Sequence, residues 1–209
     1  MIDTVILDYG HGGIDSDGNY TTAPSKMAKV NGEWVYEGVL NRTIGGMLYH
    51  LLKWDWKRKL KVVQTVAADD PRDISLAQRV RKCNAESNAI FVSIHCNASP
   101  NGVGEGFEIF TTRGQNNSDI LAECIAEEIG KLKGNNALRM RYDLTDGDLD
   151  KEADHYVTRK SIHPAVLVEC LFFDNAKDLE KFNDLKFRQA FVAALYHGIV
   201  RYIDLKNND

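Results

Sequence analysis

Three residues that can bind a metal ion or transfer a proton each follow a short apolar segment of the chain. They are His11, His95 and Glu169. In an open α/β sheet the functional site lies outside the carboxyl ends of the strands, so three such strand ends can converge on one crevice. A single histidine in this position is more often a structural residue, but the joint occurrence of all three favours a functional site.

A zinc site is the first chemistry that these residue types suggest. Catalytic zinc takes three protein ligands from histidine, glutamate, aspartate and cysteine, and it leaves a fourth position for water. His11 and His95 supply two ligands. Glu37 is a candidate for the third because it opens the first long predicted helix, where the helix N-terminus favours a carboxylate. On spacing alone, Glu37 can also be an ordinary acidic residue of a first helical turn.

Other chemistries fit this sequence less well. Glycines frame His11 in residues 10–13 and would let the backbone approach a ligand closely, but the segment lacks the G-x-G-x-x-G pattern of a phosphate-binding turn. The chain has no G-x-S-x-G context for a serine nucleophile. Cys96 follows His95 directly, yet neighbours in a strand point to opposite faces. We therefore expect the Cys96 thiol to pack away from the site.

Strands and helices alternate in the predicted secondary structure. Short β-branched runs predict strands at residues 4–8, 60–66, 89–95, 106–111 and 165–169. Apolar residues at helical spacing predict helices around residues 40–52, 121–132 and 187–202, and the capping box from Ser75 to Gln78 begins a further helix towards Ala85. We predict one α/β domain over residues 1–209, with a mainly parallel twisted sheet of about five or six strands and helices on both faces. This is a phosphorylase/hydrolase-like arrangement.

Two stretches interrupt the alternation and predict surface insertions. Asn31-Gly32, within residues 14–36, is flanked by short hydrophobic runs and predicts a β-hairpin. Because this insertion separates His11 from Glu37, we expect it to lie beside the site and to contribute to substrate selection; the alternative is a surface loop with no role in the site. Residues 134–158 are polar and acidic, which predicts a solvated loop. A calcium site is less favoured because the spacing of an EF-hand is absent.

Composition restricts the class of protein and its partners. Of the 209 residues, 44% are apolar and 27% are charged, and the formal net charge is -4. This balance is typical of a globular protein, and the scattered basic residues argue against nucleic acid as a partner. No segment approaches the roughly 20 apolar residues of a membrane span. The four cysteines show no CxxC spacing, so we expect buried, reduced thiols.

Five motifs occur in the order that one enzyme family shows. The family's D-P-G-H-G-G is matched by D-Y-G-H-G-G at residues 8–13, and its E-x-x-x-N by Glu37 and Asn41. Its T-R-x-x-D, L, R, A-N series is matched by Thr65, Asp69 or Asp70, Leu76, Arg79 and Asn84. S-I-H-x-N-A is matched at residues 93–98, and P-A-x-L-x-E-x-x-F-x-x-N at residues 164–175. Over nearly its whole length the chain resembles the zinc-dependent N-acetylmuramoyl-L-alanine amidases of the type-3 class. This class includes bacterial cell-wall enzymes and phage endolysins.

The resemblance implies an activity and a role for each candidate residue. It implies one zinc ion held by His11, Glu37 and His95, with Glu169 as the catalytic carboxylate. The substrate would be peptidoglycan, cut at the amide between N-acetylmuramic acid and the L-alanine of the stem peptide. Asn97 would either orient the substrate or close a turn. A zinc peptidase that cuts within the stem peptide, and a non-catalytic wall-binding module with the same fold, are the alternatives.

The chain departs from the family pattern without losing a catalytic group. Tyr9 replaces the proline, Val66 replaces the arginine after the motif threonine, and Cys170 replaces a small residue. These changes, together with the insertion, put the preferred peptidoglycan in doubt. Asp3 lies where a signal peptide would carry a basic residue. We therefore expect a protein made in the cytoplasm that acts at the cell wall after release by another agent. We also expect a monomer that does not insert into a membrane.

Overall fold

The computed structural model describes residues 1–145 and 147–208 and has a six-stranded sheet at its centre. The strands are β1 (Thr4–Tyr9), β2 (Met27–Val30), β3 (Glu33–Tyr36), β4 (Lys61–Gln64), β5 (Ala89–Asn97), β6 (Glu108–Thr111), β7 (Lys151–Glu152) and β8 (Ala165–Phe172). The sheet order is β4-β1-β5-β8-β6-β7, and β2 and β3 form a separate hairpin. The first four strands of this order are parallel, whereas β6 runs antiparallel to β8.

Helices cover both faces of the sheet. They are α1 (Glu37–Lys53), α2 (Leu76–Asn84), α3 (Asn117–Gly130), α4 (Tyr156–Lys160), α5 (Ala176–Asn183) and α6 (Leu185–Asn208). Helices α1, α3 and α6 pack on one face, and α2 and α4 pack on the other. The predicted single α/β domain with a mainly parallel sheet is confirmed.

Alternate side chains of the central strands enter two separate apolar clusters. The larger core lies under α1, α3 and α6 and includes Val92 and Ile94 of β5. On the opposite face, Phe91 of the same strand packs with Cys83 of α2 and Val157 of α4 in a much smaller cluster. Burial of each large apolar side chain contributes roughly 1.5–3 kcal/mol, so the larger core supplies most of the hydrophobic stabilisation.

Local signals in the sequence account for the start of α2 and for the hairpin. Oγ of Ser75 accepts a hydrogen bond from the backbone N–H of Gln78, whose Oε1 accepts from the Ser75 N–H. This capping box was predicted. Asn31 and Gly32 have positive φ angles of 50° and 91°, which a type I′ turn requires, and they connect β2 to β3 as predicted.

The structure differs from prediction in the bounds of several strands, among them β4 and β6, which are shorter than predicted, and in three short elements that were not predicted, β7, α4 and α5. His95 and Glu169 do not end their strands, because β5 continues to Asn97 and β8 to Phe172 through a register shift. Helices α4 and α5 were not predicted because five and eight residues carry too little periodic pattern. The α5 start is fixed by Asn175, whose Oδ1 accepts two backbone hydrogen bonds.

The cysteines are buried, reduced thiols, as the sequence predicted. All four cysteines are buried and form no disulfide. Cys96 lies in the larger core with Cys170, on the face opposite to His95, as strand alternation predicts. Within the described residues, no helix combines the length and the apolar character that a membrane crossing requires.

Candidate metal centre and active site

Two histidines and a glutamate from three different elements meet towards the carboxyl end of the sheet. His11 follows β1, Glu37 is the first residue of α1, and His95 lies in β5. Oε1 of Glu37 is 3.2 Å from Nε2 of His11 and 3.0 Å from Nδ1 of His95. The three ligand atoms lie within 4.8 Å of one another. The structure thus brings together the three residues that the sequence suggested as metal ligands.

Buried polar atoms in this cluster fit a bound cation. Nε2 of His11 and Oε2 of Glu37 are buried without a hydrogen-bond partner, although Nε2 lies 3.2 Å from Oε1 of Glu37 and Oε2 lies 3.4 Å from the ammonium of Lys26. Such atoms are unfavourable unless something satisfies them, and imidazole and carboxylate are both zinc ligands. Burial would raise the pKa of the Glu37 carboxyl, but the imidazoles of His11 and His95 lower it below its usual range. The carboxyl is therefore ionised, as a ligand must be.

Glu169 lies beside His95 on the neighbouring strand. The two residues are paired in the β5 and β8 register, so their side chains leave the same face of the sheet. Oε2 of Glu169 is buried and has no hydrogen-bond partner. Burial raises the pKa of Glu169 to about 8, and the nearby Glu37 adds to this shift while His95 opposes it. A carboxyl with this pKa can both accept and release a proton near neutral pH.

A buried ionic network fixes the end of β1 beneath these residues. Asp8 accepts hydrogen bonds from Oγ1 of Thr65 at 2.5 Å, Oγ of Ser93 at 2.7 Å and Nη1 of Arg79 at 2.7 Å. Burial would raise the pKa of Asp8, but Arg79 and the two hydroxyls lower it. Arg79 also donates to the backbone carbonyl of His11. The network that stabilises the Asp8 charge therefore positions the first candidate ligand as well.

A second buried arginine holds the same loop through backbone carbonyls. Nη1 of Arg42 donates to the carbonyl oxygens of His11 at 2.8 Å and Gly38 at 3.2 Å. Nδ2 of the preceding Asn41 donates to the Gly10 carbonyl at 3.0 Å. These bonds hold His11 at a φ of 65°, in the left-handed region. The sequence motif pointed to Asn41, but nothing in the pattern singled out Arg42.

Two glycines are required by close contacts within the site. A Cβ on Gly10 would lie 2.2 Å from the ring of His95, and one on Gly38 would lie 1.8 Å from the Gly12 carbonyl oxygen. The sequence suggested that glycines around His11 admit a ligand. In the structure they admit other parts of the protein, which lets the two histidines and the start of α1 approach each other.

The 14–36 insertion borders the metal cluster. Oγ1 of Thr22 accepts a hydrogen bond from the backbone N–H of Gly12 at 2.6 Å, which ties the insertion to the loop that carries His11. Nζ of Lys26 lies 3.4 Å from Oε2 of Glu37. Sequence reasoning placed the insertion beside the site but did not single out Lys26, because one lysine in a polar loop carries no distinguishing signal.

A cavity of about 510 Å³ opens beside His11 and His95. The insertion, the start of α2 and the start of α4 line it. On the α4 side, Nε2 of His155 is buried without a hydrogen-bond partner, and its ring packs edge-on against Phe110. Burial and the nearby His95 lower the pKa of His155. His155, Tyr156 and Val157 therefore form a wall of this groove, although they belong to a stretch that was predicted to be a solvated loop.

Asn97 has a structural role that the sequence left open. Its Nδ2 donates to Oε2 of Glu108 at 2.5 Å, and its Oδ1 accepts from the next backbone N–H at 2.8 Å. Glu108 also pairs with Arg141 and Lys151 and lies opposite Glu169 in the β6 and β8 register. Asn97 therefore ends β5 and anchors an ionic cluster beside Glu169. The sequence did not indicate this cluster, because its members are far apart in the chain.

The fold and the site together define a class of protein. A buried carboxylate between two imidazoles, next to a second carboxylate on the neighbouring strand of a mainly parallel sheet, is typical of a hydrolase active site. The chain belongs to the N-acetylmuramoyl-L-alanine amidase family, which it matches over residues 5–201.

Individual relatives agree with this family. The chain is 28% identical over 214 residues to the endolysin of Bacillus phage SPP1, with 99% of this chain and 68% of the relative covered. It is also 28% identical to the N-acetylmuramoyl-L-alanine amidase CwlM of Bacillus licheniformis, with 98% and 70% covered. The crystal structure of an N-acetylmuramoyl-L-alanine amidase from Clostridium difficile 630 superposes with a TM-score of 0.80 at 27% identity, and 97% of each chain is covered.

Proposed function

We propose that this protein is a zinc-dependent N-acetylmuramoyl-L-alanine amidase that hydrolyses bacterial peptidoglycan. One observation carries the proposal. His11, Glu37 and His95 place their ligand atoms within 4.8 Å of one another, and Glu169 pairs directly with His95 in the sheet. Family membership supplies the substrate class, and this geometry supplies the groups that amide hydrolysis requires.

His11, Glu37 and His95 would hold the zinc ion. When bound, zinc supplies Lewis acidity, which polarises an amide carbonyl and makes water a stronger acid. The protein's own contribution is to orient the ligands. Arg79 and Arg42 hold the His11 loop through its backbone carbonyl, and Glu37 is fixed by its position at the start of α1.

Glu169 is the group that would move protons. An amide has a poor leaving group, so its hydrolysis needs a base that takes a proton from water and an acid that gives one to the departing nitrogen. Glu169 lies beside His95 on the neighbouring strand, and burial raises the pKa of its carboxyl, so one group is placed to serve both steps. Its unpartnered Oε2 leaves it free to contact water and substrate.

The proposed bond joins the lactyl group of N-acetylmuramic acid to the L-alanine of the stem peptide. A zinc peptidase acting within the stem peptide would use the same metal chemistry. A non-catalytic wall-binding module would have no need of a proton-transfer residue beside its metal ligands. We further propose that residues 1–209 act as one catalytic domain at the cell wall, as a monomer released there by another agent.

Substitution of Glu169 tests the mechanism. We expect Glu169→Gln to fold, to bind about one zinc ion and to lose about 10²- to 10⁴-fold in rate, because it removes a general acid-base group and no ligand. His95→Ala should instead lower the zinc content. Zinc stoichiometry, thermal melting and mass spectrometry of the peptidoglycan fragments distinguish these results.

The products decide between the alternatives. The amidase releases stem peptides that begin with L-alanine and leaves glycan without peptide, whereas a stem peptidase leaves L-alanine attached to the sugar. A parental rate for Glu169→Gln would refute the assigned role of Glu169. Full zinc content and full activity in His95→Ala would refute the metal site.

A further inference from the structure

An exposed aromatic and basic surface lies at the C-terminal end of α1, away from the groove. Two of the three tryptophans in the chain, Trp54 and Trp56, are 76% and 78% exposed there. Lys53, Lys57 and Lys59 flank them and are also exposed. We refer to these five residues as the Trp-Lys surface. Exposed apolar side chains that are rimmed by charges are typical of an interaction site.

The Trp-Lys surface is built on a fixed turn. Asp55 is buried between the two tryptophans, and its Oδ1 accepts hydrogen bonds from the backbone N–H groups of Lys57 and Arg58. Its Oδ2 accepts from the hydroxyl of Tyr196 on α6 at 2.9 Å. Arg58 pairs with Asp55 and with Asp204. Because the turn is anchored to α6, the backbone that carries the two indoles is already ordered, which lowers the conformational entropy lost on binding.

Two depressions adjoin Trp54 between α1 and α6, with volumes of about 450 and 460 Å³. One is lined mainly by apolar side chains, among them Met47 and Val192. The other combines apolar side chains with polar ones, including Tyr196 and His197. A sugar ring has apolar faces and hydroxyl groups on its edges. This combination of an indole with neighbouring polar groups therefore suits a saccharide better than a lipid chain.

The charge of this segment points to an anionic partner. Residues 53–61 contain five basic residues and one acidic residue, although the whole chain has a net charge of -4. The even scatter of basic residues that we inferred from composition is therefore wrong here. Arg58 and Lys61 have carboxylate partners, whereas in residues 1–145 and 147–208 the three lysines of the Trp-Lys surface have none within ion-pair distance. Unpaired ammonium groups attract carboxylates.

We propose that the Trp-Lys surface binds a peptidoglycan strand at a second, non-catalytic site. Sugar rings stack on Trp54 and Trp56, and stem-peptide carboxylates pair with the lysines. This inference rests on the proposed function, because hydrolysis brings the protein to this polymer. Helix α1 has 17 residues and joins Glu37 to the surface, so the two sites lie about 25 Å apart. Contact at both sites raises the affinity for an extended polymer without any new contact at the reacting bond.

The test separates polymer binding from hydrolysis. Binding to insoluble, purified peptidoglycan is measured by sedimentation in the Glu169→Gln background, where the polymer stays intact. Hydrolysis of a soluble muropeptide, too short to reach both sites, is measured in the parental background. We expect Trp54→Ala/Trp56→Ala to weaken sedimentation by about tenfold or more and to leave muropeptide hydrolysis unchanged, because both indoles are exposed.

A charge-matched pair of triple variants tests the lysines. We expect weaker binding to peptidoglycan, with a smaller dependence on salt concentration, for the variant Lys53→Gln/Lys57→Gln/Lys59→Gln. The control variant is Lys133→Gln/Lys177→Gln/Lys186→Gln, which removes the same charge from exposed lysines elsewhere. We expect it to bind peptidoglycan as the parental protein does. Thermal melting checks that every variant is folded.

Three results would overturn the proposal. One is parental sedimentation of both the tryptophan and the lysine variants. Another is a surface-dependent affinity for anionic phospholipid vesicles without one for peptidoglycan, and the third is a dimer that the tryptophan variant dissociates. If the parental protein cleaves no muropeptide, the proposed function fails, and the sedimentation result still decides whether this surface binds peptidoglycan.

Discussion

The two faces of the central sheet differ in function: one packs in the apolar core, and the other carries the candidate active-site residues. Towards α1, α3 and α6, strand β5 presents Ile90, Val92 and Ile94 to a continuous apolar core. Towards α2 and α4, the intervening residues change from Phe91 through Ser93 to His95. The same change occurs on β1, from Ile6 to Asp8, and on β8, from Leu167 to Glu169.

This difference shows how one sheet can be both rigid and reactive. A face that is apolar along its whole length stabilises the fold, so the other face can carry polar groups near its carboxyl end. Those groups are unfavourable when buried unless they have partners. Asp8 has three partners, whereas Glu169 and the metal cluster retain unpartnered atoms that a metal ion, water or substrate can satisfy.

The largest effect on stability is expected from Asp8→Asn. This variant leaves the buried Arg79 charge with only the partly exposed carboxylate of Asp73, and breaking a buried pair costs about 3–5 kcal/mol. Urea unfolding measures the change in the free energy of unfolding. Asp3→Asn is the control, because Asp3 is exposed at the start of the same strand and should change stability by less than about 0.5 kcal/mol. A similar small change for both variants would contradict the importance of the Asp8 network.

The pH dependence of the Asp8 effect follows from the direction of its pKa shift. The pKa of Asp8 is lower in the folded protein than its usual value, so its stabilising contribution is fully present above about pH 4 and is lost as the pH falls through the folded pKa. The stability difference between the parental protein and Asp8→Asn should therefore stay constant from neutral pH to about pH 5 and shrink at lower pH. A difference that grows on acidification would contradict this assignment.

Intermediate effects are expected from adjacent residues on opposite faces. Ser93→Ala removes a buried hydrogen bond to Asp8 and should cost about 1–3 kcal/mol, with a loss of activity because the network also holds the His11 loop. Ile94→Val should cost about 1 kcal/mol and leave kcat/KM unchanged. Equal activity losses in the two variants would show that the faces are not functionally separate.

The smallest stability effect is expected from Lys26→Gln. Its ammonium lies at the edge of the groove, 3.4 Å from Glu37, so we expect a change below about 0.5 kcal/mol in stability but an altered ranking of wall substrates from different bacteria. Lys29→Gln provides a matched control, because Lys29 is an exposed lysine of the same insertion. An unchanged ranking of substrates would show that Lys26 of the insertion has no role in substrate selection.

Much of the fold can be predicted from local patterns in the sequence. The strands that form the sheet centre, the capping box at Ser75 and the turn at Asn31-Gly32 each depend on residues that are close together in the chain. Helices α4 and α5 escaped prediction because they are short, and their conformation depends on packing against the sheet. The ends of β5 and β8 were misplaced for the same reason, since pairing between the two strands extends both.

The sequence by itself determined which residues could perform chemistry, because His11, Glu37, His95 and Glu169 stand at recognisable positions in apolar strands and at a helix start. Only the tertiary structure decided what surrounds them. Arg42 donates to loop carbonyls, and His155 reaches the groove from residues that looked like a solvated loop. These contacts join residues that are far apart in the chain. Their existence depends on three-dimensional packing, and no spacing in the sequence encodes it.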